Sequence, residues 1–275
     1  MPMGRARLVV WAMTLCIGAV ASAGIVPAVS GQAAGGSGGG PLGPGASFAP
    51  PPGSVALMDQ IGADPNDLGA VPYASQYFEA GYAAYHIVAA DDFTVSGGPF
   101  QLTQVDAVLG AWNGSGNPYG SVQWYEVNIY SAPPAAGINL VGDVASVQVL
   151  PGSVILTDPY GAARDYPALA EIPLPAGIQL AEGTYWVGVI PRLDFESYGQ
   201  TGVFETNFAG FPSNDNGFNA NPNGGFGFPP GNLQQYSFDF AYRVWGGESE
   251  LIPEPASLTL LALGGLGLLA RRSRR

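Results

Sequence analysis

Apolar and polar positions alternate with a period of two in several runs of the chain. In "TQVDAVLGAW", Val105, Ala107, Leu109 and Ala111 fall on one face. In "SVQWYEVNIY", Tyr125, Val127 and Ile129 oppose Trp124, Glu126, Asn128 and Tyr130. "GTYWVGVI" and "YSFDFAYRVW" repeat the pattern, the latter placing Phe238, Phe240, Tyr242 and Val244 opposite Asp239, Ala241 and Arg243. Side chains of a strand point alternately to its two faces, so each run predicts a half-buried strand. "DDFTV" and "ASVQVL" add two more. Helical spacing is nearly absent, and residues 79–90 ("EAGYAAYHIVAA") are the one ambiguous stretch. Gly and Pro fall between the runs, as turns punctuate a β protein. The expectation is an all-β fold over residues 54–247, an antiparallel β-sandwich of jelly-roll-like topology.

The clearest local signal is "IPLPAGIQLAEGTYWVGV" (172–189). It predicts a strand from Ile178, a turn at Glu182-Gly183 and a returning strand rich in β-branched and aromatic residues. With "AADDFTV", "LDFESYG", "NPNGGFG" and "FAYRVWG", the body resembles the β-sandwich modules of secreted bacterial envelope proteins. That resemblance implies a fold and a compartment, and brings no activity.

The ends break the alternation. Arg5 and Arg7 precede an apolar run from Leu8 to about Val20, and Ala21-Ser22-Ala23 follows. A basic start, an apolar centre and small residues are the layout of a secretory signal helix. Residues 1–23 are therefore expected to be removed by signal peptidase after Ala23; the alternative is a retained N-terminal anchor. Residues 24–53 follow as a linker, with Gly and Pro dense from residue 31 onward.

At the other end, Pro253-Glu254-Pro255 introduces an uncharged run of 15 residues, Ala256 to Ala270. As a helix it extends roughly 22 Å at about 1.5 Å per residue. A bilayer core is about 30 Å thick, so the run makes a short transmembrane helix. Arg271, Arg272, Arg274 and Arg275 then form a basic stub held on the cytoplasmic side. A buried core helix is the poorer alternative, because such a helix seldom lacks a polar face and then ends in four arginines. Tripeptide, short span and basic stub together resemble the PEP-CTERM protein-sorting segment. That resemblance implies recognition by an exosortase-type enzyme, with residues 251–275 acting as an address. It also implies an exported protein of the cell envelope, outer surface or exopolysaccharide matrix.

Charge narrows the function. The chain contains no lysine, and residues 24–252 hold 20 acids against three arginines, a formal charge of −17. Such a surface repels phosphate backbones, so nucleic acid is not an expected partner. Cys16 is the one cysteine and lies in the N-terminal apolar run. Thiol catalysis, disulfides and zinc–thiolate sites are thereby excluded from the body.

Candidate chemistry is sparse. His86, the one histidine, lies in apolar "YAAYHIVAA", and no G-x-S-x-G elbow accompanies it. Asp194 and Glu196 would share a face if residues 193–197 were extended, which is the arrangement a glycosidase pair needs. Asp91, Asp92 and Asp215 offer oxygens suited to calcium, although no D-x-D-x-D-G loop is present and loops are ordinarily rich in Asp, Asn and Gly. Trp112, Trp124 and Tyr198 could stack on a sugar, although sandwich aromatics mostly fill cores. The reading these residues favour is a non-enzymatic structural or adhesive protein with no required cofactor. The alternatives are a carbohydrate-binding module for extracellular polysaccharide and, behind it, a secreted glycoside hydrolase.

Overall fold

The computed structural model describes residues 50–248, except 63, 115–117, 134–139, 159–167, 213 and 229–232. The signal segment, most of the linker and the sorting tail lie outside the described residues. In chain order the strands are β1 (Val55–Asp59), β2 (Leu68–Ala74), β3 (Val88–Val95), β4 (Phe100–Trp112), β5 (Tyr125–Tyr130), β6 (Ala145–Val149), β7 (Ile155–Thr157) and β8 (Ala168–Pro173). There follow β9 (Gln179–Leu180), β10 (Gly183–Pro191), a helical turn α1 (Phe195–Tyr198), β11 (Gln200–Thr206), β12 (Phe218–Ala220), β13 (Leu233–Gln235), β14 (Asp239–Phe240) and β15 (Tyr242–Glu248). Among the described residues they form two sheets. One runs β13-β12-β3-β10-β5-β6. The other runs β1-β15-β4-β11-β14, with β8 and β9 also on β4, β2 on β11 and β7 on β8. The strand pairs are antiparallel throughout.

The main core lies between the sheets, where the alternation placed it. Val105, Ala107 and Leu109 of β4 meet Tyr125, Val127 and Ile129 of β5, with Phe240, Tyr242 and Val244 from the C-terminal strands. The opposite faces are covered as well. Val108, Leu169, Phe204 and Ala241 pack with Ile61 and Leu68 on the outside of the larger sheet. Val88, Ala90, Ile190 and Ala220 pack with Leu140 on the outside of the smaller one. Strands buried on both faces lose the simple inside–outside contrast, which is why Glu126 and Asn128 on the polar face of β5 are also buried.

Buried amides tie the irregular segments down. Asn219 Nδ2 donates to the carbonyls of Ala74 and Val88, each at 2.9 Å. Asn221 Nδ2 donates to Ala84 and His86, at 2.9 and 2.8 Å, while its Oδ1 accepts from Phe226 N–H at 2.9 Å. A buried peptide group must find a partner, and these amides supply two or three bonds each.

Three local expectations change. The ambiguous stretch 79–90 divides into a 3-10 segment, Ala80–Tyr85, and the start of β3 at Val88. Residues 178–189 are not a hairpin: β9 pairs with β4 in the larger sheet and β10 with β3 and β5 in the smaller. The Glu182-Gly183 turn therefore hands the chain across the sandwich, with Gly183 at φ 159. Residues 195–198 are helical rather than extended, so Asp194 and Glu196 do not line one strand face. Asp194 instead pairs with Arg192 at 2.6 Å.

Candidate functional site

Strand alternation turns Asp91 inward with Ala89 and Phe93, and leaves Asp92 on the outer face of β3. Asp91 is fully buried. Its Oδ1 accepts from Asp92 N–H at 2.9 Å, and its Oδ2 accepts from Phe240 N–H on the opposite sheet. Burial, and next the nearby Asp239 charge, push the Asp91 carboxyl well above the usual range. Asp239 on β14 is buried too. Its oxygens accept from Asn214 N–H at 3.2 Å and Asn216 N–H at 3.1 Å. Between these two donors sits Asp215 at φ 51, in the left-handed region. Two amides converging around a left-handed residue form a small anion cradle, and the Asp239 carboxylate fills it. Asp92 Oδ1 accepts from Asn214 Nδ2 at 2.9 Å.

The aspartates singled out from sequence thus gather around a fourth, Asp239, which sequence reasoning left as an outward strand position. Both oxygens of Asp91 and of Asp239 and one of Asp92 accept from N–H donors, and the knot ties loop 214–217 to both sheets. Among the described residues, no group of three or more acidic, histidine or cysteine side chains could hold a metal ion.

A second set of carboxylates was not foreseen. Register places Asp59, Arg243, Asp106 and Glu171 in one row across β1, β15, β4 and β8. Arg243 Nε donates to Asp59 at 2.8 Å and its Nη2 to the Ile61 carbonyl at 2.9 Å. Asp106 accepts from Gln104 Nε2 at 2.6 Å and from Trp245 Nε1 at 2.7 Å. Burial pushes its carboxyl up to about 7, against the pull of those donors and of Arg243. The pairing of alternate strand positions carried the signal, but only a known register reveals it. Asp106 is fully buried with both oxygens occupied, while Asp59 and Glu171 are half-buried.

The three aromatic candidates converge on one end of the sandwich and are all half-buried. Trp112 ends β4 opposite Gln200. Tyr198 lies in α1 and packs on the main core. Arg192 stands over the Trp124 ring at 5.9 Å. None stands exposed in a row. Further aromatics lie beside them, on the 3-10 segment, α1 and the 221–228 loop, with Tyr85 exposed and the others half-buried. Tyr85 meets Phe226 at 5.2 Å, Tyr82 meets Phe195 at 5.1 Å, and Phe226 stacks on Phe228 at 5.9 Å. Glu79 binds the start of α1, accepting from Phe195 N–H at 2.7 Å and Glu196 N–H at 3.1 Å. His86 Nδ1 accepts from Phe78 N–H at 3.1 Å, and burial lowers the imidazole's proton affinity. It is a structural acceptor in this arrangement.

Among the described residues no helix is long and apolar enough to cross a membrane, and the run 256–270 lies outside them. Residues 251–275 match the PEP-CTERM protein-sorting motif. The motif implies an exported, envelope-associated protein that an exosortase-type enzyme processes. No curated protein and no solved structure matches the chain.

Proposed function

We propose that the chain is a non-enzymatic structural or adhesive protein, delivered to the cell envelope or its extracellular matrix through its C-terminal tail. The match over residues 251–275 carries this reading. On it, signal peptidase removes residues 1–23 during export. The apolar run 256–270 is then held in the membrane with its arginines inside, and Pro253-Glu254-Pro255 is the feature the processing enzyme reads. The body supports a passive role. Its buried carboxylates are consumed by structural hydrogen bonds, and its histidine serves as a backbone acceptor. No cofactor is invoked. Intact-mass measurement tests the route. The product from a host carrying an exosortase-type enzyme should begin at Gly24 and lack residues 256–275. A product retaining both ends would overturn it.

A second reading, binding of extracellular polysaccharide, is favoured by the aromatic end. Tyr82, Tyr85, Phe226 and Phe228 cluster there, with Glu196 bonded to the Tyr82 hydroxyl and Asn223 to the Ala83 carbonyl, and rings beside amide and carboxylate groups are the pairing that sugars use. Glycan binding that falls at least tenfold in Tyr85→Ala and Phe226→Ala, but not in Trp112→Phe, would establish it. Equal binding by all variants would remove it.

A further inference from the structure

The smaller sheet ends at β6, and among the described residues nothing pairs with the outer edge of that strand. An open edge offers unpaired N–H and C=O groups to any extended segment. Natural edges are commonly blunted by lysine, proline, a bulge or an inward charge. β6, "ASVQV", has none of these, and its pairing with β5 runs without a register shift.

The surroundings are equally unguarded. Residues 144–157 carry no charge, and neither do residues 172–181. The first stretch includes β6 and β7, which are edge strands of the two sheets among the described residues. Leu150 is 68% exposed and Ile155 57% exposed, with Val144 and Val141 at 38% and 42%. Val147, Val149 and Leu150 join Leu174 and its flanking prolines to line a shallow groove between the sheets.

Charge identifies the occupant. The region from residue 24 to 252 has a formal charge of −17, so two copies repel wherever their acidic surfaces face each other. The β6 side is an uncharged strip carrying exposed aliphatic side chains, on which that repulsion is reduced. An antiparallel strand edge is also self-complementary: rotated by a two-fold axis, it meets its own hydrogen-bonding pattern. We propose that β6 is a homotypic docking edge, through which a second copy of this chain extends the six-stranded sheet antiparallel across a two-fold axis. The exposed side chains of Leu150 and Val144 then close over the joint from either end. The proposal rests on the edge and its charge, not on the export route, so its failure leaves the sorting account untouched.

Cysteine cross-linking tests it, because the body holds no native thiol. Full-length chain with Cys16→Ser would be isolated from the envelope fraction of an exporting host. Ser146→Cys and Gln148→Cys would be introduced together, since both side chains are exposed and share one face. A two-fold pairing centred anywhere from residue 146 to 148 brings two of these positions opposite one another, at about 4.5–5.5 Å between Cα atoms. Gln235→Cys, on β13 at the other edge of the same sheet, is the control. Mild oxidation should give at least fivefold more disulfide dimer for the β6 variant than for the control. Equal yields, or no dimer from β6, would overturn the proposal. Separately, Ser146→Asp with Leu150→Asp should shift sedimentation of the cysteine-free chain toward the monomer. Unchanged sedimentation would overturn it as well.

Discussion

Asp106 shows what burial does to a single carboxyl. Its folded value is raised to about 7, whereas an exposed aspartate titrates near 4. The folded state therefore holds this proton more tightly than the unfolded chain between those two values. Stability contributed by the neutral acid is complete below about pH 4, falls as pH rises to about 7, and is level beyond. Asp91 and Asp239 are shifted in the same direction. The protein should consequently unfold at a higher temperature at pH 5 than at pH 8. Asp106→Asn should shrink that difference, with the neighbouring Gln104 amide turning to accept. Thermal unfolding followed across pH checks both points, and an unchanged slope in Asp106→Asn would remove Asp106 as the cause. The knot around Asp239 leads to a related expectation. Its oxygens already have N–H partners, so EDTA should leave the unfolding temperature where it was. A calcium-dependent rise that disappears in Asp92→Asn and Asp215→Asn would instead assign these side chains to a cation. Asn221 gives a third test. Asn221→Ala leaves the carbonyls of Ala84 and His86 short of a donor, and loss of such bonds costs about 1–3 kcal/mol. Denaturant unfolding should show a loss of that order.

At the level of elements, the inward faces of β4, β5, β10 and the β14–β15 run were legible, because one face of each supplies the main core and alternation records it. The outer faces were not. Ala241 and Val108 fall off those inward faces in the sequence, yet both pack with Ile61 and Leu68 in a second apolar layer. Only chain segments far apart in sequence create that cover. The same limit explains the 178–189 segment: a turn signal states that the chain reverses, not which sheet receives it. For the candidate site, residue type alone picked out Asp91, Asp92 and Asp215. Asp239 escaped because its cradle belongs to a loop that closes only when β14 docks. Close backbone approach was similarly hidden. A Cβ on Gly202 would stand 1.8 Å from the Tyr73 carbonyl oxygen, where β11 meets β2. Gly202→Ala must therefore spread these strands. It should lower stability by about 2 kcal/mol or more and speed amide exchange in β2 ahead of β4.

The whole molecule combines an acidic sandwich with an address. Strong like charge opposes contact between copies, and on the docking proposed above that contact would be made through the uncharged β6 side. The tail was the most legible part of the chain because its signal is local: a tripeptide, an apolar run and a basic stub need no tertiary partner to be recognised. The body carries no comparable motif, and the passive role proposed for it is supported by polar groups already engaged in structural hydrogen bonds. The central claim is that residues 251–275 decide where the sandwich goes. Its direct test is fractionation of the native host expressing either the intact chain or one lacking residues 251–275, with intact mass measured in each fraction. The account predicts a processed intact chain in the envelope or matrix, and a truncated chain that reaches the exterior unretained. The same destination and the same mature mass for both would contradict it.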